Sequence, residues 1–124
     1  MSGAASPELE ALRARIQALQ DAAATATVLA VRNGASDRLI AETLADAERR
    51  LAAHHRPPRD GDEIAAARYA LRCRQEICRT MASVALAHDV DGLELTDALS
   101  AVIETASRMR KAQTISDLGI TRAA

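Results

Sequence analysis

Apolar residues recur along this chain in four stretches at alternating spacings of three and four, the period of an amphipathic helix. In the first, Leu9, Leu12, Ile16, Leu19, Ala23, Ala26 and Ala30 form an unbroken heptad seam, so the helix is expected to be long and coiled-coil-like. Ser6 precedes it as N-cap, Pro7 takes the first helical position, and Glu8 and Glu10 sit in the turn that favours negative charge. Asn33 and Gly34 supply the stop, Gly34 being suited to the left-handed residue past a helix end. Toward that end the seam is alanine, with Val28, Leu29 and Val31 beside it, so the stripe widens and backbones can approach closely.

Ser36 caps a second stretch whose seam is Ile40, Leu44, Ala47 and Leu51, flanked by Leu39. Its last turns hold Arg49, Arg50, His54, His55 and Arg56, cations at the end where the helix dipole favours them, before Pro57 and Pro58 break the chain. Asp62 caps a third helix, expected from Glu63 to about His88. Ile64, Ala67, Leu71, Cys78, Met81 and Ala85 form one edge of its apolar face, and Ala70, Cys73, Ile77 and Val84 the other. A stripe that wide predicts contact with two neighbours. Asp91 and Glu94 have capping-box spacing for a fourth helix with the seam Leu95, Leu99, Val102, Ala106 and Met109. The period lapses from Thr114. Residues 1–6 are therefore expected to be disordered, 7–112 to form one helical domain, and 113–124 to be a flexible tail.

These elements predict an all-α fold, an antiparallel four-helix bundle with short loops. A length of 124 residues suits a single core. Composition changes the picture in one respect. Alanine fills 29 positions, Phe and Trp are absent, and Tyr69 is the only aromatic. Alanine favours helix but buries little area, so the fold needs closely packed helices or a partner chain.

Net charge is -1, and the balance holds helix by helix: three basic against three acidic residues over 1–34, five against five over 35–61, four against four over 62–90, and four against five over 91–124. Such neutrality lacks the electrostatic footprint of a nucleic-acid binder and any polybasic signal for a membrane surface. No apolar run reaches the length of a membrane span, and the first ten residues do not read as a secretory leader, so a cytoplasmic location is expected.

Candidate chemistry is sparse. Arg68, Arg72 and Arg79 share one helical face, and an antiparallel pairing of the third and fourth helices brings Arg108 toward it. The group reads either as a cationic groove for an anion or acidic partner, or as a solvated face on which Glu76 pairs with Arg72 and Arg79. His54, His55, His88, Cys73 and Cys78 have no metal-ligand spacing, and the two cysteines, five apart on a helix, read as reduced thiols facing the core. No catalytic residue, metal or cofactor is expected.

The segments "LRARIQAL", "HRPPRD" and "LTDALSAVIE" resemble the small all-helical chorismate mutases. That resemblance implies a dicarboxylate held by arginines, with Arg13 as the first-helix arginine. The pattern departs from the family in the long spacing from Arg13 to the prolines, in the absence of lysine from the first three helices, and at Ile64, where a glutamate is expected. The sequence thus favours a non-enzymatic helical protein–protein interaction module that homo-oligomerises or docks partner helices along Leu9, Leu12, Ile16 and Leu19. An anion-binding helical enzyme using Arg13, Arg72 and Arg108 is the alternative, and a nucleic-acid-binding regulator a second.

Overall fold

A computed structural model describes residues 6–59 and 61–117, with the backbone alone for 105–117. Four helices account for nearly all of it: α1 (Pro7–Arg32), α2 (Asp37–His54), α3 (Glu63–Ala87) and α4 (Gly92–Asp117). Among the described residues there is no strand. The expected caps form: the backbone N–H groups of Leu9, Leu39 and Ala65 donate to the side chains of Ser6, Ser36 and Asp62. Such caps satisfy donors that a helix start leaves without a partner. α4 runs through Asp117, five residues beyond the expected end of the domain at 112. The reason is that Gln113 to Asp117 contain no glycine or proline, so an established helix propagates until a breaker is met. Residues 1–5 and 118–124 of the two expected tails lie outside the described residues.

The packing is uneven. α1 packs most extensively on α3 and next on α4, while α2 packs on α3. Thus α3 touches α1 and α2 and, more lightly, α4, one neighbour more than its wide stripe predicts. Leu9 and Leu12 share a cluster with Ala67 and Leu71, Ala22 and Ala23 with Cys78, and Ala26, Leu29 and Ala30 with Met81 and Ala85. Sequence order therefore advances together along both helices, which lie side by side with their starts at one end and their ends at the other. Ala22, Ala26 and Ala30 are fully buried, so α1 presents little more than methyl groups to α3 over its second half. Met81 fills the largest volume of any fully buried side chain.

α1 and α3 also terminate alike. Past α1, Gly34 adopts φ 103° and the Ala35 N–H donates to the Ala30 carbonyl. Past α3, Asp89 adopts φ 64° and the Val90 N–H donates to the Ala85 carbonyl. Both are Schellman-type ends, in which a left-handed residue turns the chain and the next, apolar residue folds back on the helix. Ala35 and Val90, each 4% exposed, lie in the same core cluster with Ile40 and Leu95. The two turns thus sit at one end of the molecule, hereafter the turn end.

Two outcomes follow from this packing. Ala26→Leu should destabilise the fold by about 2 kcal/mol, because added methylenes have no space between closely approaching helices. Asp89→Gly should stabilise it by about 0.5–1 kcal/mol, because glycine takes the left-handed conformation without the steric cost of a side chain. Urea denaturation midpoints at constant slope check both.

Candidate functional site

The seam expected to bind a partner helix is already filled. Leu9 and Leu12 are buried at 4% and 8%, Ile16 and Leu19 pack beside them, and the residues facing them are Ala67 and Leu71 of the same chain. The helix that this seam accepts in the structure is α3.

The arginines of α3 do not converge. Arg68 pairs with Glu8 of α1, Arg72 donates from Nη1 to Nδ1 of His55 at 3.3 Å, and Arg79 lies 3.5 Å from Glu76. Of the two pairings expected for Glu76, the structure contains that with Arg79, and Arg72 turns instead to the end of α2. Arg13 is exposed on α1. The side chain of Arg108 lies outside the described residues.

Between α2 and α3 run open clefts. One, of about 400 Å³, is lined by Asp46, Arg50, Glu76, Arg79, Thr80 and Ser83 among others. It adjoins a smaller one, of about 220 Å³, bounded by Arg50, Leu51, His54, His55 and Glu76. Charges here are paired locally: Arg49 and Arg50 approach Asp46 at 2.9 and 3.9 Å, and the hydrogen bond from Arg49 holds the Asp46 carboxyl below its usual range. The buried Thr80 hydroxyl donates to the Glu76 carbonyl and is satisfied within its own helix.

On the other flank a cleft of about 390 Å³ is lined by Glu48, Leu51, Tyr69, Cys73, Arg74 and Ile77 among others. Here the structure corrects the expectation that both cysteines face the core. Cys78 is buried against Ala22 and Ala23, whereas Cys73 is half-buried and opens to this cleft. The cause is the five-residue spacing, which turns Cys73 away from α1. Burial raises the Cys78 thiol above its usual range. Burial first, and the Cys73 thiol second, raise the Tyr69 phenol. Among the described residues no cluster of His, Cys, Asp or Glu could hold a metal, and no helix is long and apolar enough to cross a membrane.

A different surface stands out. Six large apolar side chains are exposed among the described residues, and five of them, Val28, Val31, Leu39, Leu86 and Leu93, belong to helix segments at the turn end; Ile103 is the exception. Leu93 is 75% exposed, Leu86 51% and Val28 48%. Single exposed apolar residues are ordinary, but their gathering at one end makes that end a candidate contact surface. Val28 and Val31 belong to a ten-residue stretch of α1, Ala22–Val31, without a charged residue. Its two threonine hydroxyls, of Thr25 and Thr27, donate to the Asp21 and Ala23 carbonyls of the same helix, so the stretch offers water no charge on any side. Sequence reasoning missed this surface because Val28 and Val31 read as a widening of the buried stripe.

Charge also divides by end. Residues 20–45 and 76–100, the helix segments nearest the turns together with the turns, carry eight carboxylates (Asp21, Asp37, Glu42, Glu76, Asp89, Asp91, Glu94 and Asp97) against Arg32, Arg38 and Arg79. The described residues 6–19, 46–59 and 61–75 carry nine arginines against six carboxylates. Near-neutrality within each helix conceals this because every helix contributes to both ends. No protein-family model, curated protein or solved structure matches the chain.

The thiols give a direct check on this arrangement. Iodoacetamide at pH 8 should label Cys73 at least about tenfold faster than Cys78, because Cys73 opens to solvent while burial both covers Cys78 and disfavours its thiolate. Because folding raises the Cys78 pKa, its contribution to stability is complete below the unfolded value and is lost as pH rises beyond it. Stability should therefore fall above about pH 9, and less steeply in Cys78→Ala. Peptide mapping after timed labelling and urea titrations across that range read the two effects.

Proposed function

We propose that this chain is a cytoplasmic, non-enzymatic protein–protein interaction module: an antiparallel four-helix bundle, coiled-coil-like in α1, that receives an amphipathic helix at its turn end. The observation that carries this reading is the gathering of Val28, Val31, Leu39, Leu86 and Leu93, exposed, at that end. Among the described residues, the other large apolar side chains except Ile103 are at least partly buried. The α1 seam is filled by α3, and the clefts beside α2 are lined with locally paired charges, which lowers the gain from binding an anion there. A helix laid on the turn end would cover apolar side chains that the fold leaves in water, the usual driving force for helix-in-surface recognition.

The test uses a labelled synthetic amphipathic helix of leucine and glutamine, without net charge, titrated with the intact chain by fluorescence anisotropy. Binding should weaken about tenfold or more in Val28→Ser/Leu93→Ser, a loss of about 1.4 kcal/mol, with helicity by circular dichroism unchanged because both residues are exposed. Affinity unchanged by the two serines would remove the turn end as the docking surface.

A further inference from the structure

We infer that the turn end selects a basic partner, a helix whose apolar stripe is flanked by lysine or arginine, and that it does not serve as a contact between two copies of this chain. The inference rests on the docking reading above and adds to it the chemistry of the occupant.

The argument is electrostatic. Helix-end partial charges cancel at this end, because α1 and α3 finish there while α2 and α4 begin there. Side chains therefore set its field. Of the three arginines counted at this end, Arg38 is paired with Glu42 at 3.0 Å and Arg79 with Glu76 at 3.5 Å. Those two pairs neutralise themselves, which leaves Arg32 against Asp21, Asp37, Asp89, Asp91, Glu94 and Asp97. Around the exposed Leu93 the local sequence is "DVDGLELTD", four carboxylates and no base, and Asp89, Asp91, Glu94 and Asp97 are all exposed.

An apolar surface rimmed by one sign of charge favours a partner bearing the other, through faster encounter and correct register. The same rim disfavours self-association, since a twofold contact through the turn ends would bring two acidic rims together. The opposite end, where arginine is in excess, has none of the exposed large apolar residues among its described positions, so a head-to-tail contact would match charge but cover no apolar residue there.

The experiment compares three labelled helices with the same leucine stripe and polar positions filled by lysine, glutamine or glutamate, each titrated with the intact chain at low and high salt. The lysine helix should bind about tenfold tighter than the glutamine helix, and the glutamate helix weakest. Salt should narrow the spread, because screening acts on the rim and not on the apolar contact. Glu94→Gln/Asp97→Asn should reduce the lysine preference and leave the glutamine helix unchanged, while Val28→Ser/Leu93→Ser should weaken all three.

Equal affinity for the three helices, with the serine dependence retained, would overturn the basic-partner inference and leave the docking reading standing. Absence of binding by all three would overturn both. Light scattering on the chain alone supplies the remaining arm. A monomer agrees with the inference, and a dimer dispersed by Val28→Ser/Leu93→Ser would make the turn end a self-contact and overturn it.

Discussion

The close approach of α1 to α3 is the interaction on which the remaining structure depends. Ala22, Ala26 and Ala30 are fully buried, and their neighbours across the interface include Cys78, Met81 and Ala85. Small side chains allow two helix backbones to lie near the short end of ordinary interaxial distances, about 8 Å, where many weak dispersion contacts accumulate. A chain without Phe or Trp has no other way to make a dense interior. α4 then covers the flank of the pair at Leu95 and Leu99, and α2 adds Ile40, Ala47 and Leu51 along the outer side of α3. Each added helix packs on a surface that the first pairing creates.

Economy of volume inside contrasts with the surplus of apolar residues outside. The same α1 segment that supplies methyl groups to α3 turns Val28 and Val31 to solvent. β-Branched residues lose side-chain freedom in a helix and gain little when left in water, so their exposure there is not explained by helix formation. Under the proposed docking, a partner helix would cover them. The division of charge by end would give that contact a sign, and it arises mainly because Arg68, Arg72 and Arg74 lie in the first half of α3 while Asp89, Asp91, Glu94 and Asp97 gather around the turn into α4.

Much of the secondary structure was legible because local chemistry determines it. Ser6, Ser36 and Asp62 cap, Gly34 turns left-handed, and the four apolar seams lie on helices as their spacing demands. What periodicity cannot convey is which helix fills which seam. Leu9, Leu12, Ile16 and Leu19 satisfy the heptad pattern equally whether the opposite residues are Ala67 and Leu71 or those of another protein. The arginines were placed on one face correctly as positions, yet a long guanidinium reaches whichever carboxylate or imidazole the packing brings near, and Arg68, Arg72 and Arg79 find three different partners. The left-handed Asp89 and the apolar turn end had no local signal, since both depend on how the two turns meet.

The order of packing bears on how the chain is assembled. Among the described residues, the largest contacts join α1 to α3 and α1 to α4, pairs that are not adjacent in sequence, while the consecutive pairs α2–α3 and α3–α4 touch less. Neither the α1–α2 half nor the α3–α4 half therefore holds a core of its own; each completes the other across the loop at 55–62. Folding must close that long connection before most of the apolar area is buried, which sets this helical protein apart from bundles built by zipping adjacent hairpins.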